Sequence, residues 1–205
     1  MIEGILLRKN LYQDRHIIGD LLLRNGKKVS CIFYGAQGVG KSKRTKNLDI
    51  GSLYRVTPQK SKKNGQLIQT REWIAKWSHQ EIRLDFGKYS ALNFGLELIN
   101  KLSVEGENPE SSNDFDESFE GFFKVLSNFI FFLEQEINFN ETKNNLIVYF
   151  LSKVFIELGI FPDVRHCQVT GENIDKINDV SLSPSRGGFV INNELEERDL
   201  KKEKN

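Results

Sequence analysis

Along the first third of the chain, apolar residues fall in short runs separated by turn chemistry. Ile2 to Arg8 is the first run, ending on the pair Arg8-Lys9. His16 to Leu23 is the second. Asn25-Gly26 follows it as a tight-turn signal and joins it to a third run, Lys27 to Tyr34, as a β-hairpin. From Leu48 to Thr57 apolar and polar positions intersperse, with Leu48, Ile50, Leu53 and Val56 as the apolar set. Pro58 to Gly65 is polar and basic and closes on another Asn-Gly. Leu67 to Trp77 then carries β-branched and aromatic residues throughout. Five strands with turns at this spacing predict a small closed or nearly closed barrel rather than a β–α–β unit.

The period then changes. Leu92, Leu96, Ile99 and Leu102 stand at helical spacing and precede the polar, acidic stretch VEGENPESSNDFDE. Phe115, Phe119, Phe122, Phe123, Leu126, Phe129, Ile130, Leu133 and Ile137 recur at steps of three and four, which predicts a helix packed on its neighbours. A third helix is predicted over Lys143 to Leu158, with Leu146, Phe150, Val154 and Leu158 on one face and Gly159 as its stop. The class is therefore α+β. The end, Glu194 to Asn205, is nearly all charged and is expected to be a frayed helix or disordered.

Composition adds an asymmetry. The net charge of +1 divides into +11 over residues 1–80, with 16 Lys/Arg against 5 Asp/Glu, and −10 over residues 81–205, with 13 against 23. A basic front and an acidic back imply different partners, the front being suited to a polyanion. Fifteen Phe against two Trp and one Met predict aromatic packing in the core. Apolar runs such as Leu146 to Leu151 fall far short of the ~20 residues of a membrane span, and no basic leader precedes an apolar run, so a cytoplasmic protein without membrane contact is expected. Cys31 and Cys167 are far apart and are expected to be free thiols.

The stretch GAQGVGKS, Gly35 to Ser42, matches the phosphate-loop pattern G-x-x-x-x-G-K-[ST] and follows the strand-like VSCIFY. In a nucleotide hydrolase such a loop leads into a helix whose first N–H groups hold phosphate. Lys41 to Asn47 contains no apolar residue, so a helix starting there could not pack on a sheet. The hydrolase also needs an apolar strand ending in Asp to help hold Mg²⁺, whereas Leu146 to Leu151 ends in Ser152-Lys153. The match therefore reads as a Gly-rich, Lys-rich connection between strands, with an ATP- or GTP-hydrolysing loop using Lys41 and Ser42 as the competing reading.

Such a connection suits backbone phosphate. Lys41, Lys43, Arg44 and Lys46 place four cations within six residues, Lys60, Lys62 and Lys63 add three in the next basic turn, and Arg8 and Lys9 end the first run. These nine are the expected nucleic-acid contacts. Tyr34, Trp73 and Trp77 could stack bases, or serve as barrel core. His16, His79 and His166 have no acid partner at a recognisable catalytic spacing, and no nucleophile stands out, so no enzyme, cofactor or metal is expected.

Four features in chain order resemble the bacterial recombination mediator family RecO. They are the start Gly4-Ile5-Leu6-Leu7-Arg8; Gly26 to Val29 leading to Gly35-Ala36 and the basic Lys41 to Lys46; Leu158-Gly159, Pro162 and Cys167 at the end of the last helix; and Ser183-Pro184, Arg186, Gly187 and Gly188. The resemblance covers about residues 2–192. It implies an OB-fold barrel over 1–80, a helical domain over 81–160, a zinc-knuckle-like β segment over 161–193 packed on the helical domain, and a charged tail over 194–205. It also implies a non-catalytic protein of recombinational repair, cytoplasmic and nucleoid-associated, that binds single- and double-stranded DNA and anneals complementary strands. Its implied partners are the single-strand DNA-binding protein and RecR, with which it loads recombinase. Many members of the family hold zinc through two C-x-x-C pairs. Here Thr170 stands where the partner of Cys167 would be and no Cys follows, so the knuckle is expected to persist without metal, with Cys167 as a small buried apolar residue. The Gly-rich connection after the third strand, and Leu48 to Gly51 where the family usually has an aromatic, also depart from the family pattern.

Overall fold

A computed structural model describes residues 1–36, 48–59, 67–106 and 121–192. Five strands, β1 (Ile2–Tyr12), β2 (His16–Leu23), β3 (Lys28–Phe33), β4 (Leu53–Pro58) and β5 (Leu67–Trp77), form a closed barrel in the order β1-β2-β3-β5-β4. All pairs are antiparallel except β3 with β5. Among the described residues four helices follow, α1 (Glu81–Leu84), α2 (Phe86–Leu102), α3 (Gly121–Gln135) and α4 (Phe139–Glu157), and then a hairpin of β6 (Val180–Ser183) and β7 (Gly188–Ile191). The class is α+β with an OB-like barrel. The chain forms two compact units, Met1–Glu157 and Leu158–Asn205, so barrel and helices share one.

The strand boundaries differ from the sequence pattern in two places. β1 runs four residues past Arg8, because Lys9 to Tyr12 pair with Gly19 back to His16 across a tight turn. These residues are exposed and carry no alternation, so no periodicity marks them. β4 begins at Leu53 rather than Leu48: Gly51 has φ +77 and Ser52 N–H bonds back to the Asp49 carbonyl, so Leu48 to Ser52 is a turn. The β2–β3 hairpin does turn at Asn25-Gly26, with Gly26 at φ +78 and its N–H on the Leu23 carbonyl.

The first half of β1 and the second half of β2 are buried on both faces. Leu6, Leu21 and Leu23 pack inside with Val29, Cys31, Phe33, Tyr54 and Val56. Ile5, Leu7 and Leu22 pack outward into a second core with Leu92, Leu96 and Ile99 of α2, the α3 stripe Phe123, Leu126, Phe129, Ile130 and Leu133, and Phe150 and Val154 of α4. Strand pairs are close enough that a Cβ on Gly4 would stand 2.8 Å from the Leu22 carbonyl oxygen. The α3 stripe matches the predicted face, but Ile137 lies beyond the helix and is 93% exposed, and Phe115 and Phe119 lie outside the described residues. α2 begins at Phe86, ahead of its first expected apolar position, because Asp85 caps it with a side-chain bond to Lys88 N–H.

Two polar joints fix the barrel against the helices. The Glu134 carboxylate of α3 accepts the N–H groups of Gln80, Glu81 and Ile82, where the chain leaves β5 and enters α1. Burial raises its pKa, but these three bonds outweigh that and hold it below the ordinary carboxylate value. At the other end of α2, the Lys28 ammonium donates to the Asn100 carbonyl, and Lys28 backbone groups bond to Val104 and Gly106.

Both tryptophans lie in β5: Trp73 packs on the barrel core, while Trp77 lines a pocket with Phe123 and Ile130 of α3, so Trp73 reports on the barrel and Trp77 on its junction with α3. Leu126 is fully buried in the shared core. Leu126→Ala should cost about 2–5 kcal/mol and lower the tryptophan and helical circular-dichroism midpoints of the first unit together. A Trp73 transition left in place, followed in a Trp77→Phe background, would mean the barrel stands independently of α3.

Candidate nucleic-acid interface

Seven of the nine expected cations, Lys41, Lys43, Arg44, Lys46, Lys60, Lys62 and Lys63, lie outside the described residues, as do Gly38 and Gly40 of the phosphate-loop match. What is described is where those segments attach. The first leaves β3 through Tyr34 and Gly35, and Gly35 N–H donates to His16 Nδ1 at 3.0 Å. Because Nδ1 accepts here, it carries no proton in this arrangement. The Tyr34 and His16 rings meet edge-on with centroids 5.0 Å apart, and Tyr34 is 41% exposed. The segment returns at Leu48, which is buried and whose carbonyl accepts the Lys9 ammonium at 2.6 Å. Both attachments are therefore made to the β1–β2 hairpin.

The two described members of the predicted set are both engaged. Arg8 places Nε and a terminal nitrogen on Asp20 Oδ2 at 3.0 and 2.9 Å, while Ser30 hydroxyl donates to Asp20 Oδ1 at 2.7 Å. Asp20 is buried, whereas the Arg8 side chain keeps 58% of its surface in solvent, so it is oriented without being withdrawn. Lys9 instead has a positioning role, holding Leu48. Arg24 and Arg55 converge on Glu3, whose pKa burial raises but the two guanidiniums bring down overall.

Sequence reasoning did not single out several exposed cations of the barrel. Arg15, in the β1–β2 turn, and Arg71 and Lys76, on β5, are exposed and make no ion pair with a described residue. Beyond Thr70, β5 pairs with β4 alone among the described residues. Trp77 is 39% exposed there, whereas Trp73 meets Phe33 edge-on at 5.4 Å and packs against the barrel core. Asp20 carried a usable signal: an acid inside the apolar run HIIGDLLL implies a buried partner.

His79 Nε2 lies 2.9 Å from the Ile50 carbonyl, buried, and His166 pairs with Asp163 at 2.9 Å, an acid the sequence pattern does not connect with it. A groove of about 300 Å³ between α3 and α4 has Phe129, Phe132 and Tyr149 in its walls and Lys124 and Lys153 beside them. No described helix is long and apolar enough to cross a membrane.

In the second unit, the hairpin turn closes with Arg186 N–H on the Ser183 carbonyl and Gly187 at φ +71. Cys167 is 2% exposed and packs with Ile174, Val190 and Ile191. The residues do not fit a zinc ion. A structural site needs four ligands, and the described residues hold no cluster of three His, Cys, Asp or Glu able to share a metal. Cys167 is not merely apolar, however. Polar groups of Thr170 first, with smaller contributions from the Ile191 and Val169 backbone, favour the thiolate and lower its pKa to about 7 despite the opposing effect of burial. Cys31, buried inside the barrel and near Asp20, is pushed up to about 12. Both thiols are free.

The chain matches no family model and no curated protein.

Thiolate absorbance followed against pH should show Cys167 titrating near pH 7 and Cys31 not before about 12. Because the folded pKa of Cys167 is depressed, its contribution to stability is complete above the ordinary thiol value of 9.0 and is lost as pH falls through about 7. A single thiol midpoint near 9 for Cys167 would contradict this stabilisation of the thiolate.

Proposed function

We propose that the protein is a DNA-binding recombination mediator of the RecO kind, without hydrolytic activity. The observation that carries this reading is the closed OB-like barrel formed within residues 1–80, whose net charge is +11 in a chain of net charge +1. OB-folds bind oligonucleotides on the face of strands 2 and 3 and on adjoining connections. The exposed Tyr34, at the end of β3, adjoins that face in this barrel. Cations neutralise sugar-phosphate and release condensed counterions, while exposed aromatics hold bases by stacking. Screening of both strands at once is how such a surface would promote annealing. The acidic, helix-rich remainder suits protein partners, expected to be RecR and the single-strand DNA-binding protein. The groove between α3 and α4, with Lys124, Lys153 and Glu157 around its aromatic walls, would take an apolar side chain.

The competing reading is a nucleotidase acting through Gly35 to Ser42, favoured only by the literal motif. Its usual setting is a parallel sheet with helices on its faces. Here the motif begins a connection between β3 and β4 of a barrel.

Replacing Lys41, Lys43, Arg44 and Lys46 together by Ala should weaken oligonucleotide binding and flatten its salt dependence. The logarithmic slope should fall by up to about 0.9 for each duplex phosphate that is no longer neutralised. Unaltered affinity and slope would sink the DNA reading. Magnesium-dependent phosphate release from ATP or GTP, abolished by Lys41→Ala, would instead establish the nucleotidase.

A further inference from the structure

Strand alternation sorts the β2–β3 sheet into two faces. Ile17 and Phe33 pair across it and are buried in the barrel core. His16 and Tyr34, one residue further along, therefore stand on the outer face, and Tyr12 of β1, paired with His16, joins them there. The three rings form a row, with Tyr12 40% and Tyr34 41% exposed and His16 half-buried between them. Arg8 and Asp20, paired further along the same two strands, lie on this face too. It is the face on which OB-folds hold oligonucleotides. The row also holds the root of the basic connection. Gly35 turns off the strand at φ +70, and its N–H donates to His16 Nδ1 at 3.0 Å while the Tyr34 ring meets the imidazole edge-on. Lys41, Lys43, Arg44 and Lys46 follow in the chain.

We propose that His16 is a proton-sensitive positioning residue for the DNA contact: as a neutral imidazole it fixes the root of the basic connection against the β2–β3 face, and on protonation it releases that root. An imidazole nitrogen accepts a hydrogen bond only while it carries no proton, and the imidazolium is a donor at both nitrogens. A proton on Nδ1 would therefore set two N–H groups against each other where one bond now stands. Among the described residues, the titratable and charged groups around the ring are Tyr12 on β1, Asp14 and Arg15 in the adjoining turn, and Tyr34 after β3. None of them forms an ion pair with His16, so no carboxylate is in place there to receive the imidazolium. The consequence for DNA rests on the DNA-binding reading, whereas the bond to Gly35 does not.

The test uses the full chain and two variants. His16→Asn keeps an acceptor oxygen near the Nδ1 position and cannot take up a proton in the same range. His16→Phe keeps a ring against Tyr34 and removes the acceptor. Nuclear magnetic resonance should show Nδ1 unprotonated in the neutral ring. The Gly35 amide signal should move with the His16 titration between about pH 8 and about pH 5, where imidazoles take up a proton. It should stay fixed in His16→Asn, although His79 and His166 are still present. A Gly35 amide indifferent to the His16 titration, or a neutral ring carrying its proton on Nδ1, would overturn the proposal. Because protonation also adds a positive charge, affinity for a thymine oligonucleotide is compared at about pH 8, where that charge does not enter. There His16→Phe should bind about two- to tenfold more weakly than the unaltered chain, and His16→Asn should restore binding. Equal affinity of His16→Phe and the unaltered chain would refute the positioning role. If the unaltered chain binds no oligonucleotide, the DNA reading fails and the Gly35 titration alone decides whether His16 holds the root. If a variant does not fold, the titration of the unaltered chain decides.

Discussion

The first unit depends on part of the β1–β2 sheet being buried on both faces. Leu6, Leu21 and Leu23 fill the barrel, while Ile5, Leu7 and Leu22 face the helices, and all six are nearly inaccessible. At about 1.5–3 kcal/mol for each fully buried apolar side chain, the three outward residues alone contribute roughly 5–9 kcal/mol. That equals the whole net stability of many domains. A barrel without its helices would expose this surface, so the α3 stripe completes the barrel as much as it builds a helical layer. Glu134 and Lys28 then set the angle at which the layers meet, because each ties a charged side chain to backbone groups across the junction.

This double burial also explains what could be read from the sequence. β2 and β5 fall at His16–Leu23 and Leu67–Trp77, as the pattern predicts, because turn residues flank runs rich in apolar and β-branched residues. The α3 face was legible because Phe123, Leu126, Phe129, Ile130 and Leu133 repeat at helical spacing against one continuous core. The shared core was not legible, since a run such as Leu21-Leu22-Leu23 does not tell which neighbour each residue meets. α1 has four residues, too few for a period to show. Leu48 and Ile50 resemble strand residues by composition, yet Gly51 turns the chain between them and Leu53.

At the candidate site, the sequence showed where positive charge concentrates but not which cations are already engaged. Arg8 and Lys9 adjoin in sequence and have different duties: one lies against buried Asp20 with much of its surface in water, the other fastens Leu48. Charge counting treats them as equal because it records side-chain type and not the acceptor within reach. The same limit applied to Cys167. Its isolation was plain from the sequence, but its burial against Ile174, Val190 and Ile191 is made only by folding.

The order of the elements along the chain bears on how the protein is made. β5 closes the barrel by pairing with β3, after which the outward side chains of β1 and β2 lack their full cover until α3, which starts at Gly121, has been synthesised. At ribosomal speeds of about 5–20 residues per second, the 58 residues from Ser78 to Gln135 take roughly 3–12 seconds to add. Throughout that interval a greasy sheet surface is open to solvent and to neighbouring nascent chains. Rapid translation of this stretch, or a chaperone that shields the sheet, would therefore govern the yield of correctly assembled protein.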